Sequence, residues 1–316
     1  MKVYRFGEHV VANARAIWTE AMYEAGIANA AVIAMTGDLS RSLCTEKFRT
    51  LIPERYLNIG IAEQNMVSIA AGLALCGKIP YCSSYAPFLS LRAAEQFRTD
   101  VCYMNLNVRL IGAGGGINSS GPTHSGLEDA GTVRGFANAT VVSPSDPSMI
   151  RKVFEASVIH DGPMYIRLDN GRNVQSVYSE DYSFSLGRAI KVLDGTDFAI
   201  LSFGSLLSYA VEAAYRLAEK GLSVAVYDFH TLKPLDCEAV LKIASNFKLI
   251  ATLEDHNIFN GLGSAVAEVL AENACQCQLK RFGLPDVFPC TGPPEKLHDQ
   301  LGYGIDNIVN YLSHRR

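Results

Sequence analysis

The chain has 316 residues and a formal net charge of −4, with 48% of residues hydrophobic and 19% charged. That length suggests two domains of about 100–200 residues each, and the apolar content suits a folded enzyme or enzyme subunit rather than a disordered adaptor. Mild acidity without a basic, aromatic-interleaved run excludes a nucleic-acid groove, and no stretch approaches the roughly 18 uninterrupted apolar residues of a membrane helix.

Helical and strand-like segments alternate along the chain, which predicts a parallel α/β architecture. The start, Met1-Lys2-Val3-Tyr4-Arg5, leads into an amphipathic helix over 10–25 rather than an apolar signal core, so a cytoplasmic location is expected. Ala30-Ala31-Val32-Ile33-Ala34-Met35 reads as a buried strand ending at Thr36-Gly37-Asp38. A helix rich in small residues begins near Glu63, and another covers 88–102 before the strand Val108-Arg109-Leu110-Ile111. The Gly/Ser-rich stretch 112–126 is expected as a loop, and long loops inside α/β domains often carry function. A strand at Val141-Val142, a helix over 146–160 and a strand over 164–168 complete the first unit. Residues 170–188 are polar and unpatterned, which places the boundary between a domain over 1–175 and a second over 188–316. The second unit alternates strands at 198–201, 224–227 and 249–252 with helices over 206–220, 236–246 and 262–273.

Eight cysteines, Cys44, Cys76, Cys82, Cys102, Cys237, Cys275, Cys277 and Cys290, form no C-x-x-C pair and share no zinc spacing with a histidine. They read as reduced thiols, several inside apolar stretches where cysteine acts as a small hydrophobe, and no metal site is expected within the chain.

Two motifs carry chemistry. In Leu57-Asn58-Ile59-Gly60-Ile61-Ala62-Glu63-Gln64-Asn65, a glutamate follows a strand-like segment and opens a helix, where it would be partly buried near the positive dipole end. The plainer reading is a first-turn acid that complements the dipole. In Gly121-Pro122-Thr123-His124-Ser125-Gly126, a histidine sits in a glycine-flanked loop, able to exchange protons with a substrate oxygen near neutral pH. Its plainer reading is a loop histidine bonded to backbone.

Together these segments, with Gly37-Asp38-Leu39-Ser40, Ala93-Ala94-Glu95-Gln96-Phe97-Arg98-Thr99-Asp100-Val101, Thr231-Leu232-Lys233-Pro234-Leu235-Asp236 and Leu253-Glu254-Asp255-His256-Asn257, resemble the transketolase family over nearly the whole chain. The resemblance implies a pyrimidine-binding domain followed by a transketolase C-terminal domain. It implies thiamine diphosphate as cofactor, with Glu63 hydrogen-bonding the aminopyrimidine ring so that the ring can remove the thiazolium proton. His124 matches a histidine near the donor sugar's hydroxyls. Phe88 matches an aromatic of the pyrimidine pocket, Leu91 stands where the family often has another aromatic, and Asp38 matches an acidic residue near the cofactor. Arg15, Ser42 and Arg167 correspond to positions that hold the substrate phosphate, a task that suits the planar arginine fork. A generic core role for Phe88 and Leu91, a turn or cap for Asp38, and surface salt bridges for Arg15 and Arg167 are the plainer alternatives. His230 and His256 fall outside the matching catalytic motifs and read as structural or surface histidines.

Three departures from the family pattern stand out. Gly114 and Ser120 replace a histidine and an acidic residue that help choose the donor's hydroxyl configuration, so an unusual ketose donor is expected. The Gly-Asp-Gly motif that anchors the cofactor's diphosphate through Mg2+ is absent from the sequence. The resemblance therefore implies an N-terminal partner subunit carrying that motif and an α2β2 assembly acting on a sugar substrate. A 2-oxo-acid dehydrogenase beta subunit, the corresponding part of a deoxyxylulose-phosphate synthase, and a non-catalytic interaction subunit with the same fold remain the alternatives.

Overall fold

The computed structural model describes residues 1–12, 14–43, 45–169 and 173–315; Cys44 and the start of the expected boundary, 170–172, lie outside the described residues. Two sheets organise the chain. The first runs in the order Thr231–Lys233, Thr140–Val142, Met164–Asp169, Arg109–Gly115, Ile79–Tyr85, Val32–Thr36 and Tyr56–Asn58. Every neighbouring pair in it is parallel except the first, where Thr231–Lys233 runs antiparallel to Thr140–Val142. Parallel strands are covered by helices on both faces and so need apolar residues on both. Val32–Thr36 is accordingly buried along its whole length.

The chain passes from Val32–Thr36 outward to Tyr56–Asn58 and then returns to Ile79–Tyr85 on the opposite side of the starting strand. That reversal opens a crevice at the carboxyl ends of Val32–Thr36 and Ile79–Tyr85, where open α/β sheets bind ligands. The second sheet, in the order Gln278–Leu284, Leu249–Asn257, Phe198–Phe203, Val224–Asp228 and Ile190–Leu193, is parallel apart from its antiparallel edge strand Ile190–Leu193.

The two halves share their cores. One hydrophobic cluster joins Trp18, Phe48 and Phe154 to Leu207, Val226 and Tyr303, and the other joins Met66, Phe97 and Val141 to Phe203, Val240 and Val266. Thr231–Lys233, from the second half of the sequence, completes the sheet of the first.

Several elements differ from expectation for local reasons. Val10–Ala12 is a strand paired with Asn173–Gln175, and the helix begins only at Ala14. The expected loop over 112–126 starts as strand, since Arg109–Gly115 is buried throughout. A Cβ at Gly112 would lie 2.3 Å from the Tyr165 hydroxyl, so glycine permits the strands to pack closely. The helix over 88–102 contains two π-helical stretches, Phe88–Arg92 and Phe97–Cys102, on either side of Ala94–Gln96.

Candidate active site

Glu63 opens the helix Glu63–Leu75 shortly after the carboxyl end of Tyr56–Asn58, and only 1% of its surface is exposed. Oε1 accepts a hydrogen bond from Ser84 Oγ at 2.9 Å and Oε2 accepts from Arg92 Nη1 at 2.7 Å. Both donors belong to other elements, and residue Ala62 supplies no side-chain cap. A first-turn acid serving the helix dipole alone would keep its carboxylate in water. Burial between Ser84 and Arg92 therefore marks a built carboxylate site. Gly37, just past the end of the neighbouring strand, lies beside it: a Cβ there would stand 3.4 Å from both Glu63 Oε1 and Gly60 O.

An aromatic wall stands beside the carboxylate. Tyr85 ends the strand Ile79–Tyr85, and Phe88 starts the following helical segment. Their rings meet His124 edge-on at centroid distances of 5.4 and 5.2 Å, and each other at 5.9 Å. The Arg92 guanidinium lies 4.1 Å over the Phe88 ring, a cation–π contact. Ile61 and Leu91 add exposed apolar surface, at 77% and 43%. The group thus combines a half-buried aromatic, exposed aliphatic neighbours in sequence and one buried carboxyl.

His124 sits on a short turn, Pro122–His124, with Nδ1 3.0 Å from Thr123 Oγ1. Asn118 secures the loop from inside. Its Nδ2 donates to Gly114 O at 3.3 Å and to His124 O at 3.1 Å, while Oδ1 accepts from Ser120 N at 2.8 Å. Gly114 adopts φ +78°, the left-handed region, and a Cβ would meet His124 O at 3.2 Å. Glycine is thus a backbone requirement of this loop as well as a missing side chain.

The second domain holds the same loop from behind. Asp255 Oδ2 accepts from Ile117 N at 3.0 Å, and Tyr303 donates to Oδ1 at 3.1 Å. Burial alone would raise the Asp255 carboxyl, but His298, Arg167 and the Ile117 N–H together hold it below the usual carboxylate value. A Cβ at Gly116, whose φ is +75°, would fall 2.1 Å from Asp255 Oδ2. His256 is buried, with Nδ1 donating to Asn257 O at 2.7 Å and Nε2 accepting from Gly131 N at 3.1 Å. Burial lowers its proton affinity, in keeping with a neutral ring in that geometry.

One expectation changes, that for Arg167, and the two alternatives left for His230 and His256 resolve to the structural one. Arg167 is not at a phosphate-facing surface: it is fully buried, its Nε donates to Asp129 Oδ2 at 3.0 Å, and its Nη2 donates to Asp255 O at 2.7 Å and Gly126 O at 3.0 Å. Withdrawing it would strand the buried Asp129 carboxylate at a cost of several kcal/mol, so Arg167 joins the domains behind the loop instead. His230 and His256 are both interior and not surface histidines. His230 lies against Phe184 and Thr231, and burial lowers its pKa to about 4.

Arg15 and Ser42 do come together, because Arg15 Nη1 donates to Ser42 O. Asp38 is exposed at φ +63° and exchanges two hydrogen bonds with Asn58, Asn58 Nδ2 donating to Asp38 Oδ1 at 2.9 Å and Asp38 N donating to Asn58 Oδ1 at 3.0 Å. This is the turn role weighed for it from sequence. Sequence reasoning missed Arg92, Tyr85, Asn118, Asp129 and Asp255. Only Arg92, four residues after Phe88 in a helical segment, carried a local spacing signal.

Two α/β domains, with a buried carboxylate and an aromatic cluster at the switch point of the first, define a two-domain α/β chain whose candidate site lies at the carboxyl ends of a parallel sheet. Residues 11–173 match the family model described as "Transketolase, pyrimidine binding domain" and residues 187–308 match "Transketolase, C-terminal domain". The chain belongs to the transketolase family, and that membership implies thiamine diphosphate as its cofactor. It is 40% identical to an apulose-4-phosphate transketolase subunit from Actinobacillus succinogenes, over 82% of this chain and 84% of that one. It is 38% identical to the 6-deoxy-6-sulfo-D-fructose transketolase subunit SqwH of a Clostridium species, over 88% and 86%. Among solved structures, a split-gene transketolase described as an inactive beta4 tetramer superposes with a TM-score of 0.86 at 35% identity, covering 95% of this chain and 97% of that chain.

Proposed function

We propose that this chain is the C-terminal subunit of a split transketolase, and that with an N-terminal partner it transfers a two-carbon ketol unit from a ketose donor to an aldose acceptor. The observation that carries the reading is the Glu63 carboxyl, 1% exposed at the carboxyl edge of a parallel sheet and bridged by Arg92 to Phe88, whose ring meets His124. When bound, thiamine diphosphate supplies the nucleophilic carbon and the electron sink. Glu63 would hold a proton between its carboxyl and the ring nitrogen of the cofactor. Phe88 would orient the ring by its apolar face. His124 would exchange a proton at Nε2 with a donor hydroxyl, its Nδ1 being committed to Thr123. Mg2+ and the diphosphate would be held by the partner, since the sequence has no Gly-Asp-Gly.

The relatives named for apulose 4-phosphate and for a sulfo-sugar support a modified ketose as donor, as does the absence of a side chain at Gly114. A loop that offers backbone and Ser120 where the family offers charged groups relaxes selection of a conventional hydroxyl pattern.

The test combines the chain with its partner, thiamine diphosphate and Mg2+, and measures ketol transfer from xylulose 5-phosphate and a panel of branched, deoxy and sulfonated ketoses. Glu63→Gln should lower turnover by at least about a hundredfold with the fold intact, the scale typical of lost acid–base assistance. Wild-type turnover in that variant would refute the role of Glu63. A wide preference for xylulose 5-phosphate would refute the donor reading alone.

A further inference from the structure

Arg92 contacts both groups expected to grip the cofactor's ring. Its Nη1 donates to Glu63 Oε2 at 2.7 Å while its guanidinium lies 4.1 Å from the Phe88 ring centroid. Ser84 fixes the other carboxylate oxygen at 2.9 Å. Arginine is suited to this double task because one planar group both stacks on an aromatic face and donates in its own plane. The backbone is shaped to deliver it. Phe88–Arg92 is π-helical, an uncommon geometry that recurs at functional sites, and it brings Arg92 back over Phe88 four residues earlier. The Ser90 hydroxyl, donating to Ala86 O at 2.8 Å, ties down the same turn.

We infer that Arg92 is a positioning residue of the active site, fixing the carboxyl of Glu63 and the ring of Phe88 in one mutual orientation before the cofactor's pyrimidine enters. This role rests on the function proposed above. A carboxylate and an aromatic ring that each carry free rotations lose them on binding a ligand, and a bridge that removes them beforehand lowers that cost. Arg92 is itself 44% exposed, unlike Glu63 at 1%. Its own side chain lies outside the core, but removing its charge leaves the buried Glu63 carboxylate with Ser84 alone, so thermal stability is read beside affinity and the charge-keeping lysine variant separates the two effects.

The experiment uses the chain assembled with its N-terminal partner and compares wild type, Arg92→Lys, Arg92→Met and Glu63→Gln. Three quantities are read: thermal stability without cofactor, thiamine diphosphate affinity by calorimetry in Mg2+, and exchange of the thiazolium proton by NMR. Lysine keeps a charge for Glu63 but cannot stack as a plane on Phe88. Arg92→Lys is expected to keep wild-type thermal stability while cofactor affinity falls about tenfold, the scale of one lost cation–π stack. Arg92→Met is expected to fall further in affinity and to slow proton exchange. Wild-type affinity and exchange in both Arg92 variants, with Glu63→Gln inactive, would overturn the role of Arg92 and leave the transketolase reading standing. Wild-type exchange in Glu63→Gln would instead overturn that reading. Loss of affinity in Arg92→Lys only in proportion to lost thermal stability would reduce Arg92 to a structural ion pair and also overturn the proposal.

Discussion

At the scale of single residues, the most consequential titrating group outside the candidate site is Asp228. It is completely buried, its Oδ2 accepts from Ser145 Oγ at 2.5 Å and Tyr178 Oη at 2.7 Å, and Oδ1 has no partner among the described residues. Burial pushes its carboxyl from 3.8 up to about 7 against the pull of those two hydroxyls. A raised carboxyl pKa means the folded state favours the proton more than the unfolded state does. Its stabilising contribution is therefore complete below 3.8 and declines as pH rises towards about 7. Within that window one such group changes stability by up to about 1.4 kcal/mol per pH unit. Asp228→Asn should consequently flatten the stability profile between about pH 5 and 7, because an amide oxygen can still accept from Ser145 and Tyr178 but does not ionise. Part of the slope should survive, since burial also raises Glu254 to about 7 against the Leu262 and Gly263 N–H groups. Denaturant midpoints measured across that range for both proteins provide the check, and an unchanged slope would remove Asp228 from the account. None of this was legible in Val224-Ala225-Val226-Tyr227-Asp228, because the burial of a strand-end aspartate depends on Ser145 and Tyr178, which lie far away in sequence.

At the scale of elements, the loop that carries His124 depends on Asn118. Three hydrogen bonds to one side chain, two donated to Gly114 O and His124 O and one accepted from Ser120 N, fold the Gly/Ser stretch into a defined shape. Asn118→Ala removes all three and should destabilise the chain by roughly 2 kcal/mol, as expected for buried polar groups left unpaired. The amides of residues 114–125 should also exchange faster with solvent than in wild type, while the helix Glu63–Leu75 stays protected. Exchange that rises equally everywhere would mean global destabilisation rather than release of the loop. The glycine-rich character of this stretch was plain in the sequence, but not which side chain organised it. Long periodic elements such as Leu262–Glu272 and Pro147–Ile159 were legible because their apolar residues repeat at helical spacing. The strand Ile79–Tyr85 was not, because Pro80, Ser83 and Ser84 interrupt its apolar run. Val10–Ala12 and Thr231–Lys233 are strands only by virtue of partners distant in sequence, Val174 for Val11 and Val142 for Thr231. The π-helical turns were equally hidden, since the same residues would suit an ordinary helix.

At the scale of the whole molecule, the decisive question is what this chain can bind by itself. Its candidate site offers a ring one buried carboxyl, one aromatic face and a few apolar side chains. Burying a ring of that size contributes about 1.5–3 kcal/mol, whereas association costs an estimated ~4 kcal/mol or more in lost translational and rotational freedom. A charge-assisted bond to Glu63 adds about 1.5–3 kcal/mol, which leaves the pyrimidine half of the cofactor close to break-even. On the split-subunit proposal, tight binding comes from the diphosphate, held through a metal by a Gly-Asp-Gly motif that this sequence does not contain. The isolated chain is accordingly expected to bind thiamine diphosphate in Mg2+ with a Kd of about 1 mM or weaker. Adding an N-terminal partner that carries the motif should produce binding in the micromolar range or below, together with ketol-transfer activity. Calorimetric titration of the chain alone and of the mixture separates the two situations. Micromolar, Mg2+-dependent binding by the chain alone would show that it holds the diphosphate with residues of its own, and the split-subunit proposal would fail on that result.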